Sequence, residues 1–315
     1  MNNNEQQEIE LIKFNMGNEI LELLNDKDVS EIIINDDTKL FKDTFSEGQV
    51  FTGKYIDPTR TLSLIQVVAS YSKQIIDENN PILEARLYDK SRFTGVIPPL
   101  ADNPTINIRK HTILKLTLDD YVDTGVITQN QKKILLDNIK NKRNILVVGA
   151  TGSGKTTFAN ACINDISKLN ERLGILEDTP EIQTTATNRY FLHTSSNKKM
   201  IDLVKVSLRM TPQRIIVGEI RDGASLYLLR AWNSGHGGGV CTIHSDSARK
   251  ALGQLEGYIQ EVSQTPQKQL IADNVHLIVV IDKVFEDGET KRKLVEMVEV
   301  KGLDKEGNYI LENLC

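Results

Sequence analysis

Gly149, Ala150, Thr151, Gly152, Ser153, Gly154, Lys155 and Thr156 form a complete G-x-x-x-x-G-K-[ST] pattern. Glycine has no Cβ, so backbone amides from Gly152 to Thr157 can turn inward and hold phosphate oxygens at the positive end of a helix. Lys155 then reaches the β and γ phosphates of a nucleoside triphosphate, and the Thr156 hydroxyl sits on magnesium. The pattern follows the apolar run Asn144 to Val148. It precedes a stretch in which Phe158, Cys162, Ile166 and Leu169 share one helical face. That strand-then-helix context confirms a phosphate-binding loop, and it assigns Cys162 to packing.

Such a loop binds nucleotide without necessarily hydrolysing it, so the acids at neighbouring strand ends matter. Glu177, with Asp178 beside it, directly follows Leu173 to Leu176, and Glu219 directly follows Ile215 to Gly218. In an open parallel sheet the carboxyl ends of the strands gather at one edge with the loop, which points both carboxylates at the γ phosphate and its metal. One carboxylate can orient water while another holds magnesium. His244 ends a further strand at the same edge, either as a hydrogen-bonding sensor of the γ phosphate or as an ordinary polar strand end. His236, in Gly235-His236-Gly237-Gly238-Gly239, lies in a loop that could move with nucleotide state or simply connect two elements. Trp232 reads as packing. Arg86, Arg92, Arg109 and Lys110 form a basic set that could neutralise phosphoryl charge from another domain or subunit, or could be solvated surface. Cys241 and His244 have a spacing two zinc ligands could use, but no second pair completes a tetrahedral site.

The elements that must position these residues fall into two regions. In the first, apolar Ile9, Ile12, Met16, Ile20 and Leu23 predict a helix from about Glu8 to Leu24. Short strands follow at 31–34, 39–41 and 49–51, with hairpin turns at 35–38 and 46–48. A helix from Pro58 to Asp77 and strands at 92–97 and 105–109 complete an α+β domain over residues 1–116. Residues 117–127 have little periodicity and read as a linker. Residues 128–315 form the second domain, opened by a capping box between Thr128 and Gln131. Buried strands at 144–148, 173–176, 214–217 and 239–243 alternate with helical segments, which predicts a mainly parallel sheet covered on both faces. Leu277 to Ile281, Leu294 to Val300 and Tyr309 to Leu311, with a turn at Asp287 and Gly288, read as closing antiparallel strands.

A chain of 315 residues has room for two cores, and 39% hydrophobic with 26% charged residues is ordinary globular composition. Aromatics at 5% and a net charge of −5 argue against stacking on single strands and against nucleic acid as the main partner. The polar, acidic start and the absence of a stretch approaching ~20 apolar residues predict a cytoplasmic chain. Cys162, Cys241 and Cys315 are odd in number and widely spaced, so no disulfide framework is expected.

Four blocks carry a resemblance: Gly149 to Thr157; Leu176-Glu177-Asp178-Thr179; Leu208-Arg209-Met210-Thr211-Pro212-Gln213-Arg214 running on to Arg221; and Gly235 to His244. Together they resemble the secretion ATPase superfamily, the motors of type II and type IV secretion and of pili. Arg92-Phe93 with Pro98-Pro99, Ile108-Arg109-Lys110, Thr117 to Tyr121 and Ala231-Trp232-Asn233 look most like its conjugal transfer ATPases. The resemblance covers the chain from about Val29 to its C-terminal strands. It implies a RecA-like second domain and a homohexameric ring with ATP and Mg2+ between the two domains. The ring would be peripheral to the inner membrane and engage the secretion machinery there, with nucleic acid as possible cargo only. Position by position, it implies that Lys155 and Thr156 bind phosphate and magnesium, that Glu177 is the Asp-box acid, and that Glu219 is the Walker B glutamate. His244 closes the His box, and Arg92 and Arg109 match arginines brought to the nucleotide. Gln213 departs from the family's usual Asp. The alternatives are a pilus retraction motor, a nucleic-acid translocase, or a nucleotide-gated scaffold without turnover.

Overall fold

The computed structural model describes residues 3–44, 47–110, 116–195, 197–286 and 289–314, and the elements below belong to them. The predicted turn at Asp287 and Gly288, Ser46 of another predicted turn, and Cys315 lie outside the described residues. The chain divides into two units, Met1–Ile113 and Leu114–Cys315.

In the first unit, helix α1 (Asn3–Asn25) buries Ile12, Met16 and Ile20, as the periodicity predicts. It is broken at Gly17, whose φ of 62° and ψ of 178° are open mainly to glycine. The break frees carbonyls that a neighbouring helix must satisfy. Arg60 of α2 (Pro58–Tyr71) does so, donating from Nε to Asn15 O at 3.0 Å and from Nη2 to Met16 O at 2.7 Å, with Glu19 closing the pair at 3.1 Å. Helix α2 stops at Tyr71 instead of running on to Asp77. Lys73 enters the left-handed region at φ 56°, and Gln74 N returns to Ala69 O, a Schellman-type end that the apolar spacing does not reveal.

Against these helices lies an antiparallel sheet ordered β3-β2-β1-β6-β5-β4: β1 (Val29–Ile34), β2 (Lys39–Thr44), β3 (Gly48–Tyr55), β4 (Ile82–Arg86), β5 (Arg92–Val96) and β6 (Thr105–Arg109). Strand β4 was not anticipated, because Leu83 alone in Ile82–Arg86 is buried and the segment lacks an apolar run. Ile32, Ile34, Phe93, Ile106 and Ile108 fill the core.

The second unit begins with a correction. The segment read as a linker contains α3 (Leu118–Asp123), closed by a reciprocal capping box between Thr117 and Asp120, with Leu118 and Tyr121 buried. Two buried positions in a six-residue helix are too few to show periodicity. Helix α4 (Gln129–Lys140) has the expected Thr128–Gln131 box. The remaining elements are β7 (Ile145–Gly149), α5 (Lys155–Ser167), β8 (Leu173–Glu177), β9 (Arg189–His193), α6 (Met200–Ser207), β10 (Arg214–Val217), α7 (Ala224–Ala231), β11 (Val240–His244), α8 (Ala248–Gln260), α9 (Lys268–Asn274), β12 (Leu277–Glu286), β13 (Glu289–Leu303) and β14 (Tyr309–Asn313).

The sheet is ordered β14-β13-β12-β7-β11-β10-β8-β9 and is parallel from β12 through β9. Strand β12 therefore completes the parallel set beside β7, and only β13 and β14 extend it antiparallel. Strand β9 escaped notice because its half-exposed edge position removes the need for an apolar run. Side chains alternate between two cores. Ile145 and Val147 face α3, α4 and α5, while Leu146 and Val148 face α6 to α9. Phe158, Cys162 and Ile166 anchor α5, whereas Leu169 lies past its end and is 40% exposed.

The amino edge of this sheet is held by buried polar groups. Asn144 Oδ1 accepts from Gly238 N and Gly239 N at 2.6 and 3.1 Å. Arg214, 1% exposed, pairs with Glu171 and donates to Gly238 O at 2.8 Å. Burial by itself would raise the Glu171 carboxyl, but hydrogen bonds from Lys142 and Arg214 outweigh it and hold the group below its ordinary range. Trp232 packs as expected and donates to Ile215 O at 3.0 Å.

His276 Nδ1 accepts the Asn144 N–H at 3.0 Å, which requires an unprotonated Nδ1. Burial first, and then the Arg143 charge, lower its pKa below the ordinary histidine range. The unfolded chain then takes up the proton at a higher pH than the folded one. This contribution to stability is complete above about pH 6.5 and is lost as pH falls toward the depressed folded value. Thermal unfolding midpoints recorded from pH 8 to pH 5 are expected to fall below about pH 6.5. The decline should be shallower in His276→Asn, whose amide oxygen can still accept; an unchanged profile in that variant would remove His276 as the cause.

Candidate nucleotide site at the carboxyl edge

Strand β7 delivers Gly149 to the carboxyl edge of the sheet, where the chain doubles back over β12. A Cβ on Gly149 would stand 2.2 Å from Ile281 O and 2.5 Å from Ser153 Oγ, so no other residue fits without shifting the backbone. Gly152 and Gly154 have φ of 72° and 96°, the left-handed region in which a Cβ is strained. Helix α5 starts at Lys155 from Gly154, which offers no side-chain oxygen to cap it. Thr156 and Thr157 occupy its first turn. Ser153 is 1% exposed, and its Oγ has no hydrogen-bond partner. An uncapped helix start beside an unsatisfied buried hydroxyl is a loop that fits an anion.

Lys155 is 6% exposed and folds back over the loop. Its Nζ donates to Ala150 O at 2.8 Å and lies 3.1 Å from His244 Nδ1. An ammonium can only donate, so Nδ1 accepts and the imidazole proton belongs on Nε2. That nitrogen lies 2.7 Å from Glu219 Oε1, close but off the line of a good hydrogen bond. Beyond it, Arg221 stands 3.4 Å from Glu219 Oε2 and 3.0 Å from Asp178 Oδ2. The row runs from the Lys155 ammonium through the neutral His244 imidazole to Glu219, Arg221 and Asp178, so each carboxylate in it has Arg221 as a neighbour.

Strand register makes this row. His244 is the direct neighbour of Gly149 across the β7–β11 pair, and Val217 is the neighbour of Cys241 across β10–β11. Thr242 Oγ1 donates to Gly218 O at 2.7 Å, tying the end of β10 to β11 just where Glu219 emerges.

Glu177 reaches the same edge but is differently engaged. It is 1% exposed, and its Oε1 accepts from Glu181 N and Ile182 N, both at 2.7 Å. Its Oε2 lies 3.8 Å from His193 Nε2, opposite it in the β8–β9 register. The carboxylate therefore pins the loop that follows β8 with one oxygen and turns the other toward His193. His193 belongs to the strand the sequence did not reveal. Arg221 sits in a motif block but showed no role until the fold set it between two acids.

Other candidates lie elsewhere. The block from Gly235 to His244 spans the sheet, so Gly235 to Gly239 sit at the amino edge and only His244 is at the carboxyl edge. His236 Nδ1 is 2.7 Å from Pro212 O, at the edge away from the loop. Gln213 also serves the amino edge, where its Oε1 accepts from Arg172 N at 2.9 Å. Cys241 is buried, burial pushes its thiol pKa upward, and among the described residues no group of three His, Cys, Asp or Glu could hold a metal ion.

In the first unit, Arg86, Arg92 and Arg109 are cross-strand neighbours that form one row, ending on Glu31, which is 3.6 Å from Arg109. Lys110 leaves this row: its Nζ donates to Leu23 O at 3.2 Å and to Asp26 O, closing the end of α1.

The chain matches the family described as type II/IV secretion system protein over residues 6–301, and it belongs to that family. It is similar to the probable conjugal transfer protein TrbB of Sinorhizobium fredii, with 39% identity over 95% of this chain and 91% of that protein. It is also similar to the type IV secretion system protein VirB11 of Bartonella quintana, with 30% identity over 76% of this chain and 78% of that one. The solved structure of the Legionella pneumophila ATPase DotB aligns with a TM-score of 0.63 at 18% identity, covering 87% of this chain and 77% of that one, which shows a common fold. The fold class is thus a smaller N-terminal α+β domain with a C-terminal RecA-like domain.

If Glu177 acts first as a loop anchor, Glu177→Ala takes the carboxylate acceptor from the buried Ile182 N–H and the half-buried Glu181 N–H and should cost about 3 kcal/mol in urea unfolding. Glu177→Gln keeps an acceptor oxygen and should cost about 1 kcal/mol. Wild-type stability in Glu177→Ala would show that the loop contacts do not matter.

Proposed function

We propose that this chain is a magnesium-dependent ATPase that powers a type IV secretion or conjugal transfer machine. The observation that carries the reading is the row Lys155, His244, Glu219 at the mouth of an uncapped glycine-rich loop. Family membership and the names of the TrbB and VirB11 relatives support the secretion role.

Amides from Gly149 and from Thr151 to Thr157 receive the phosphates, with Gly152, Ser153 and Gly154 forming the turn. Lys155 exchanges its bond to Ala150 O for phosphate oxygens. Magnesium, held by Thr156 and Glu219, would neutralise charge on the phosphates. The nucleotide phosphates would supply part of its coordination. Glu219 also orients the attacking water, and His244 reports the state of Lys155 to it through its two ring nitrogens. Glu177 holds the neighbouring loop and turns its second oxygen toward His193. Arg92 and Arg109 neutralise the charge that develops on the transferred phosphoryl group.

The working form is a homohexamer on the cytoplasmic face of the inner membrane, docked to membrane subunits of the machine, with nucleic acid only as cargo. No helix among the described residues is long and apolar enough to cross a membrane.

Steady-state hydrolysis and ATP binding test this together. Lys155→Ala is expected to lose binding. Glu219→Gln should keep ATP within a few-fold of wild type while turnover falls about 100-fold or more. Undiminished turnover in Glu219→Gln would refute its role, and a wild-type ring that binds ATP without turnover would favour a nucleotide-gated scaffold.

A further inference from the structure

The main chain on either side of Glu219 is fixed to β11: Thr242 Oγ1 donates to Gly218 O at 2.7 Å, and Ile220 N donates to Thr242 O at 3.0 Å. Only the side chain of Glu219 is left to vary. Its Oε1 is buried, lies 2.7 Å from His244 Nε2 and makes no hydrogen bond, whereas its Oε2 is 3.4 Å from Arg221 Nε. The same guanidinium donates from Nη2 to Asp178 Oδ2 at 3.0 Å. Nε and Nη2 share one edge of the planar group, so Arg221 spans two carboxylates that follow different strands, β10 and β8.

Joining the strands is not what this bridge adds. The β8–β10 ladder already runs to Leu176 and Val217, and Gly218 N donates to Leu176 O at 2.9 Å beyond it. Arg221 and Asp178 are 56% and 38% exposed, and ion pairs so open to water add little to stability. What the bridge does settle is which Glu219 oxygen faces the site. With Oε2 drawn to the guanidinium, Oε1 is left inside as a buried acceptor without a donor. Such an atom is costly to keep, and it is retained where a donor or cation from outside completes it. Asp178 in turn directly follows Glu177, whose Oε1 is tied to Glu181 N and Ile182 N, so the far end of the bridge rests on a pinned segment.

Resting on the hydrolytic role proposed above for Glu219, we infer that Arg221 is a positioning residue for the reaction: anchored on Asp178, it holds Glu219 Oε2 so that Oε1 meets the attacking water. Arg221 touches no substrate in this role and acts only through Glu219. A lysine cannot replace it, because an ammonium is a single point of charge, whereas the guanidinium edge offers a separate donor to each acid. The bridge also links Glu219, through Asp178, to the loop that follows β8.

The test combines steady-state turnover of ATP with magnesium, calorimetric ATP affinity, urea unfolding, and crystal structures of the nucleotide-free full chain. Arg221→Ala should lower kcat about tenfold while KM, ATP affinity and the unfolding midpoint stay close to wild type. Arg221→Lys should recover little of that loss. Asp178→Asn should lower kcat about threefold, and adding it to Arg221→Ala should cost nothing more, since the anchor has no role without the arginine. In a Glu219→Gln chain, Arg221→Ala should have no further effect on turnover. In the crystal of Arg221→Ala, Glu219 Oε1 should leave its place beside His244 Nε2. Turnover in Arg221→Ala within twofold of wild type, or a full additional loss in the Glu219→Gln chain, would overturn the inference and leave the ATPase reading intact. Weakened ATP binding in Arg221→Ala would make the guanidinium a nucleotide ligand and overturn its positioning role. A lowered unfolding midpoint with Glu219 unmoved would mark the bridge as structural and count against positioning. A wild-type chain that binds ATP without turnover would sink the hydrolytic reading and this inference with it.

Discussion

The pairing of β11 with β7, with His244 set beside Gly149, is the constraint on which the site depends. Parallel strands send their carboxyl ends to one edge, so fixing this register also fixes which residues meet there. A shift by one residue would turn His244 to the opposite face and leave Lys155 without its imidazole neighbour. The neighbouring pairs repeat the effect. Glu219 emerges one strand over, Glu177 and His193 one and two strands beyond it, and Ile281 on the other side of β7.

That register is secured mostly from the far edge of the sheet. Asn144 holds Gly238 and Gly239, Arg214 joins Gly238 to the half-buried Glu171, and Trp232 donates to Ile215 O, so the buried polar groups there are answered. A buried guanidinium is tolerable only with such partners, and losing one of them would leave a charge stranded in a low dielectric. Gly239 can only be glycine here, since a Cβ would sit 1.9 Å from Ile215 O. Rigid support at one edge frees the other for loops with alternative partners. Lys155 holds a carbonyl it can release, and Glu219 and Arg221 are partly exposed ion-pair partners able to rearrange.

The two carboxylates show how environment separates roles. Glu219 is 24% exposed and meets only side chains that can move. Glu177 is buried and bound to two main-chain amides, so shifting it would cost the loop its anchor. Both lie at strand ends and look alike in the sequence; what divides them is how many fixed donors each one faces.

The sequence by itself determined the phosphate loop, the strand that feeds it, the helix that leaves it, and the parallel strands ending in Glu177, Glu219 and His244. Those signals are local, since glycine placement, buried apolar runs and capping residues act within a few positions of one another. It also determined the family, because four blocks fall in one order. Only the tertiary structure decided what pairs with what. It placed His236 at the far edge from His244, gave Glu177 its loop and Arg221 its two acids, and lined up Arg86, Arg92 and Arg109. Strands β4 and β9 and helix α3 belong with these, as edge strands and a short helix are stabilised by neighbours and not by their own pattern. The physical reason is common to all of them. Register and long-range contact are set by which surfaces bury one another, and no local stretch of residues carries that information.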